Sequence, residues 1–218
     1  MQDTTQRRLP RPSLTARFLA LCAGVAISAA AAAAAVPHPA AAADAAPQVA
    51  LKTTMGDIVV ELNHDKAPKS VDNFLQYVKS GYYKNTIFHR VIDGFMIQGG
   101  GFDKNLKQKP TRKAIAGESQ NGLKNDTYTI AMARTSDPNS ATSQFFINVA
   151  DNGALDYPGQ DGYGYTVFGK VIKGQDVVDK IKGVLVDDKG MFQNLPVTPI
   201  TITAVTVLKT PIAPTPVK

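Results

Sequence analysis

The sequence predicts a mainly β domain, either a closed antiparallel sheet or a sandwich, with two short helices. Three observations predict it. Eight short runs rich in β-branched and aromatic residues are separated by glycine-rich or polar breaks. Only two segments carry apolar residues at helical spacing. No strand–helix–strand alternation is sustained, which argues against a parallel α/β sheet.

The elements follow in order. VALKTT (49–54) and DIVVEL (57–62) flank Met55-Gly56 and alternate apolar with polar residues, the pattern of a hairpin. Ala67-Pro68-Lys69-Ser70 opens a helix, with proline suited to its first turn. Val71, Phe74, Leu75 and Val78 share one face of it, and Gly81 ends it. IFHRVI (87–92), FMIQG (95–99), YTIAMA (128–133), QFFINV (144–149), YTVFGKVI (165–172) and ITITAVTVL (200–208) complete the strands. A second helix spans 176–182, turns Val177, Val178 and Ile181 inward, and stops at Gly183. Long polar stretches at 99–126, 134–142 and 151–164 read as loops, where function concentrates.

The first 43 residues do not belong to this domain. Arg7, Arg8, Arg11 and Arg17 precede the apolar, alanine-rich run Phe18 to Ala35, which leads into A-x-A patterns at 41–43 and 43–45. Basic, then apolar, then small is the order of a cleavable secretory signal peptide. The run is also long enough for a membrane anchor, but it is poor in Leu, Ile and Phe. Arg7-Arg8 lies too far ahead of the apolar run to make a strong twin-arginine signal. The expected organisation is a signal at 1–43, a linker at 44–47, a domain at 48–208 and a Pro-rich, disordered tail at 209–218. Cleavage would remove Cys22, the sole cysteine, so that packing and not a disulfide holds the mature domain. It would also lower the net charge from +6 to +3, because four arginines and one aspartate leave with the signal. The remaining body has no basic block, so neither a nucleic acid nor a membrane surface is the expected partner. A periplasmic monomer is the expectation, free of the membrane once cleaved.

The stretch FHRVIDGFMIQGG (88–100) places charged residues among bulky apolar ones. His64 and His89 form no ligand cluster, so no metal is expected, and no cofactor motif is present. Ser143 in SATSQ lacks the glycine-flanked elbow of a hydrolase. Gly99-Gly100-Gly101 lacks the features of a phosphate loop and reads as a turn after a strand. On strict alternation Arg90 shares a face with Phe88 and Ile92, while His89 points the other way. An arginine on an apolar face is costly unless its five donors are used, and it reads as a buried ion pair, a side chain that snorkels to water, or chemistry.

FHRVIDGFMIQGG, AMARTSDPNSATSQFFINVA and LDYPGQDGYGYTVFGKVIKG resemble the cyclophilin family of peptidyl-prolyl cis-trans isomerases. The resemblance runs from Gln48 to Leu208 and, with the signal, is nearest to periplasmic cyclophilins of Gram-negative bacteria. It implies a closed eight-stranded antiparallel β-barrel capped by two α-helices, and a reaction that needs no nucleophile, metal or cofactor. It implies that Arg90 is the catalytic arginine, with Phe95 and Gln98 beside it. Phe95, Met96, Phe146 and Leu155 would form the proline pocket, and Gln98 and Gln144 would hold the substrate backbone. Ala133 would meet the residue before proline, Arg134 follows it, and Tyr165 takes a position that is often histidine in eukaryotic members. Ala154 stands where many eukaryotic members have tryptophan, which implies weak cyclosporin binding. The implied partners are proline-containing unfolded or folding polypeptides. A second reading is a chaperone-like module that binds extended chains, with isomerisation incidental.

Overall fold

The structure is a computed structural model that describes residues 46–215. The expected signal at 1–43, with Arg7-Arg8 and Cys22, lies outside the described residues, as do 44–45 of the linker and 216–218 of the tail.

Ten strands and two α-helices follow in chain order: β1 (Gln48–Thr53), β2 (Gly56–Leu62), α1 (Pro68–Lys79), β3 (Thr86–Ile92), β4 (Met96–Asp103), β5 (Thr129–Met132), β6 (Phe145–Asn148), β7 (Val167–Lys173), α2 (Gln175–Lys182), β8 (Val186–Lys189), β9 (Phe192–Pro196) and β10 (Ile200–Val207). Eight close into a barrel in the order β1-β10-β3-β4-β6-β5-β7-β2, every neighbour antiparallel. These are the eight strands expected from the sequence. The hairpin β8–β9 is an addition that the sequence reading missed, because its strand 186–189 is VDDK and lacks an apolar alternation.

Alternate residues of the barrel strands point inward, except across bulges. Leu51, Ile58, Val60, Ile97, Ile130, Ile147 and Phe168 fill the interior and are fully buried. Each such side chain contributes about 1.5–3 kcal/mol relative to exposure. Helix α1 begins with proline at its first turn, and it sends Phe74 into a cage of Tyr83, Phe145 and Phe168 with centroids 5.2–5.7 Å away. Its orphan N–H groups meet a carboxylate from the long loop: Glu118 accepts from the Lys69 and Ser70 amides at 3.0 and 2.8 Å. Helix α2 buries Val177, Val178 and Ile181 near the start of β2, where a Cβ on Gly56 would stand 2.7 Å from Val177.

Within residues 209–215, part of the expected tail, all but Ile212 are exposed, and a few contacts tie the segment to the barrel. Gln48 fixes this segment through both ends of its amide, donating to the Ile212 carbonyl at 3.0 Å and accepting from the Ile212 N–H at 2.8 Å. The Thr215 N–H reaches the Ile172 carbonyl at 2.8 Å. Leu208 and Ile212 then cover Ala50, Val59 and Ile172 on the outer face of β1, β2 and β7. The reason is apolar: those three outward residues would otherwise face water.

Candidate active site

Strand β3 carries a bulge that decides where its arginine points. Phe88 pairs with Gly99 and Arg90 with Gln98, so β3 holds one extra residue, His89, against β4. Phe88 and Val91 therefore both point into the barrel, although they are three residues apart. Strict alternation had placed Arg90 on the face of Phe88. The bulge corrects this by turning Arg90 outward, opposite Gln98 and on the side of Ile92.

A single transverse row results. Arg90 pairs with Gln98, Gln98 with Phe146, Phe146 with Ala131, and Ala131 with Val167, across β3, β4, β6, β5 and β7. Register partners project to the same face, at about 4.8 Å per strand. Arg90 thus stands about 10 Å from Phe146, with Gln98 between them. Arg90 is half-buried, and none of the ion pairs among the described residues involves it. The alternative of a buried ion pair is set aside.

The apolar part of the row is a compact outer cluster. Met96, Ala131, Phe146 and Val167 form its buried floor, and Ile92, Phe95, Leu123, Ala133, Leu155 and Tyr165 pack around it. It brings together six of the residues expected at the site: Phe95, Met96, Ala133, Phe146, Leu155 and Tyr165. Ala131, Val167, Ile92 and Leu123 were missed. Outward positions on β5 and β7 were visible in the alternation, but nothing local says that these strands neighbour β6.

A polar frame holds the rim. The Asn152 side-chain amide donates to the Phe95 carbonyl and to Asn148 Oδ1, both at 2.7 Å. Asn148 donates to Thr129 Oγ1 at 2.9 Å and reaches Asn125 Oδ1 at 3.3 Å. Asn125 in turn donates its backbone N–H to Asp156 at 2.7 Å, next to Leu155. Burial raises the Asp156 pKa, but the hydrogen bonds from Asn125 and the nearby Lys124 outweigh it and leave the carboxyl below its usual range. These residues carry no recognisable motif and emerge only from the contacts.

Gln98 and Gln144 meet as expected, with Gln98 Nε2 donating to Gln144 Oε1 at 2.9 Å. The three glycines leave room for neighbouring side chains, and Gly101 borders Gln144 itself. The glycines lie within β4, not in a turn after it. A Cβ at Gly101 would stand 2.6 Å from the Gln144 side chain, and one at Gly100 would stand 2.9 Å from the Phe145 ring. The Ala133 N–H is occupied by the Gln144 carbonyl at 3.0 Å, which leaves its own carbonyl as the group able to meet a substrate.

Arg134 follows Ala133, and its side chain is engaged within the protein. Its guanidinium binds the loop 161–164 and lies over the Tyr165 ring at the edge of the cluster, and its side chain is only 5% exposed. His89 lies behind Arg90, 4.8 Å from the Phe102 ring and 6.3 Å from the Phe192 ring of β9. Its Nδ1 is buried without a partner. Burial lowers its pKa to about 4; the Ile87 backbone pulls the other way, and the Arg90 charge lowers it further. Among the described residues no group of three or more His, Cys, Asp or Glu is placed to hold a metal.

This arrangement can grip a small ring, hold a peptide unit and present a guanidinium to it. Comparison with known proteins shows the family. Residues 48–207 match the family model of cyclophilin type peptidyl-prolyl cis-trans isomerases. The chain is 56% identical over 162 residues to a Streptomyces antibioticus peptidyl-prolyl cis-trans isomerase, covering 73% of this chain and 98% of that one. It is 55% identical over 161 residues to isomerase B of Escherichia coli, with the same coverage. A solved cyclophilin type isomerase of Cryptosporidium parvum superposes with a TM-score of 0.63 at 30% identity, covering 76% of this chain and 99% of that one. By the family match, by identities above one half and by the shared barrel, the chain belongs to the cyclophilin-type peptidyl-prolyl cis-trans isomerases.

Proposed function

We propose that the enzyme accelerates rotation about X-Pro bonds of polypeptides folding in the periplasm, which it reaches through the signal at 1–43, and that Arg90 carries the step. The observation that supports this most directly is the transverse row, with a guanidinium free of carboxylates, then an amide, then an apolar floor.

The chemistry requires little else. An X-Pro bond isomerises by rotation, with no bond made or broken. The barrier, about 18–20 kcal/mol, is lost amide resonance, and uncatalysed exchange takes on the order of tens to hundreds of seconds. In the twisted state the prolyl nitrogen regains its lone pair and accepts hydrogen bonds. Arg90 offers a permanent charge and a fixed fork of donors at that point, stabilising the twisted state above either planar one. Phe95, Met96, Phe146 and Leu155 hold the proline ring and exclude water, which strengthens the field of the arginine. Gln98 Oε1 and Gln144 Nε2, the ends not used in their mutual bond, hold the substrate backbone while the other side turns. The Ala133 carbonyl meets the residue before proline. Both directions speed equally, so no equilibrium shifts in free peptide.

Ala154 at the rim offers an exposed methyl where an indole would cover more of a macrocycle, and cyclosporin binds weakly on this reading. The protein acts as a monomer. The test combines three measurements: cis/trans exchange of an Ala-Pro peptide with the chain from Asp44 onward, the same with Arg90→Ala, and N-terminal sequencing of the protein recovered from the periplasmic fraction. Fast exchange lost in the variant and a mature N-terminus near Asp44 support the proposal. An intact N-terminus in the membrane fraction would overturn its location. Loss of exchange in Arg90→Ala with undiminished suppression of client aggregation would separate a binding role from catalysis.

A further inference from the structure

Arg134 and Asp161 lie outside the groove, yet they are joined to it through one ring. The Arg134 guanidinium donates from Nε and Nη2 to the Gly164 carbonyl at 3.1 and 2.7 Å, and from Nη1 to the Thr135 carbonyl at 2.9 Å. Nη2 also pairs with Asp161 Oδ2. Four of its five N–H groups are in use within the loop, which leaves one on Nη1. Its flat face covers the Tyr165 ring, with the guanidinium carbon 4.3 Å from the centroid.

Asp161 works in two directions. While Oδ2 holds Arg134, Oδ1 accepts the N–H groups of Tyr163 and Gly164 at 2.9 and 3.0 Å, closing the loop on itself. The carboxylate is exposed, and the Arg134 guanidinium and those two amides hold its pKa down to about 2. It stays charged across the working range of pH.

Tyr165 connects this clamp to the groove. Its backbone N–H donates to the Leu155 carbonyl at 2.8 Å, and its ring meets Phe146 edge-on at 5.7 Å. The ring is thus fixed on one face by Arg134 and forms, on another, the wall of the apolar cluster. Arginine is suited to this because its plane stacks while its edge binds oxygen, which a lysine cannot do.

We infer that Arg134 and Asp161 are positioning residues that fix Tyr165 as one wall of the proline pocket, and so set the affinity for the substrate and not its rate of rotation. This rests on the reading of the Met96–Phe146–Leu155 cluster as the proline pocket. Arg90 stands at the far end of the row and is untouched by the clamp.

The experiment is a double-mutant cycle between Asp161→Asn and Tyr165→Leu. Asparagine keeps an oxygen for the loop amides but removes the charge that holds Arg134. Peptide affinity is read by NMR titration of an Ala-Pro peptide, and kcat by exchange measurements under saturation. Asp161→Asn is expected to weaken peptide binding about fivefold, the scale of coupling between contacting groups, with kcat unchanged. Arg134→Lys is expected to weaken binding likewise, and Asp161→Asn also loses the ring-current shift that Tyr165 imposes on the Arg134 side chain. In a Tyr165→Leu background Asp161→Asn should add nothing. Unchanged affinity in Asp161→Asn, or an equal loss with and without Tyr165, overturns the inference, as does a fall in kcat at constant affinity. Binding without turnover in the wild type would overturn the catalytic proposal instead, and the clamp would still be judged on affinity.

Discussion

Gln98 donates to Gln144 at 2.9 Å across the outer face of β4, and Gly101 leaves the space in which Gln144 lies. The bond orients both amides: one carbonyl and one NH2 remain, the complement of a peptide unit. A methyl at Gly101 would meet the Gln144 side chain at 2.6 Å without straining the backbone. Gly101→Ala is therefore expected to displace Gln144 and lower kcat/KM about fivefold, the scale of one lost hydrogen bond of about 1 kcal/mol. Steady-state kinetics on an Ala-Pro peptide checks this. Wild-type kcat/KM in a folded variant would show that Gln144 does not hold substrate.

Arg90→Ala should reduce kcat by about 10²-fold or more, the usual scale for removing one preorganised donor. Thermal stability should barely change, because the side chain anchors no ion pair. Arg90→Lys keeps the charge but loses the fork, and should recover only part of the activity. Full activity in Arg90→Lys would mean that charge alone suffices.

His89 gives stability a specific pH dependence. Its folded pKa, about 4, lies below the unfolded value of 6.5, so the unfolded state binds more protons between the two. Stability should fall as pH drops from 6.5 towards 4 and level off below, by on the order of 3 kcal/mol from this group. His89→Gln should flatten that window in urea melts. Asp151 and Asp161, whose carboxyls sit below their usual range through bonds from Thr127 and Arg134 respectively, lose their contributions only below about pH 4, so the two effects separate.

Removing residues 209–218 should lower stability by about 1–2 kcal/mol, through the lost Gln48–Ile212 bonds and the uncovered Ala50, Val59 and Ile172. Turnover should not change, because β1 and β2 lie across the barrel from β4 and β6. Chemical denaturation and peptide exchange on the truncated chain measure both, and a fall in kcat/KM would place the tail in the catalytic cycle.

The sequence by itself determined the local elements. Period-2 runs marked the eight barrel strands, and 3–4 spacing after Pro68 and Gln175 marked the helices, because these signals depend only on near neighbours. The family resemblance, and not periodicity, pointed to Phe95, Met96, Ala133, Phe146, Leu155 and Tyr165, which gather in one outer cluster. What only the tertiary structure decided was direction and adjacency. One inserted residue, His89, reversed the face of Arg90, and alternation cannot reveal a bulge that depends on the partner strand. Ala131 and Val167 joined the pocket because β5 lies between β6 and β7 in the ring, an order with no local signature. Arg134 found its partners in Asp161, Gly164 and the Tyr165 ring, and Ile212 settled on a barrel face. Each outcome depended on which long-range partner satisfied a charge, a carbonyl or an apolar surface, and such pairings exist only once the chain has closed on itself.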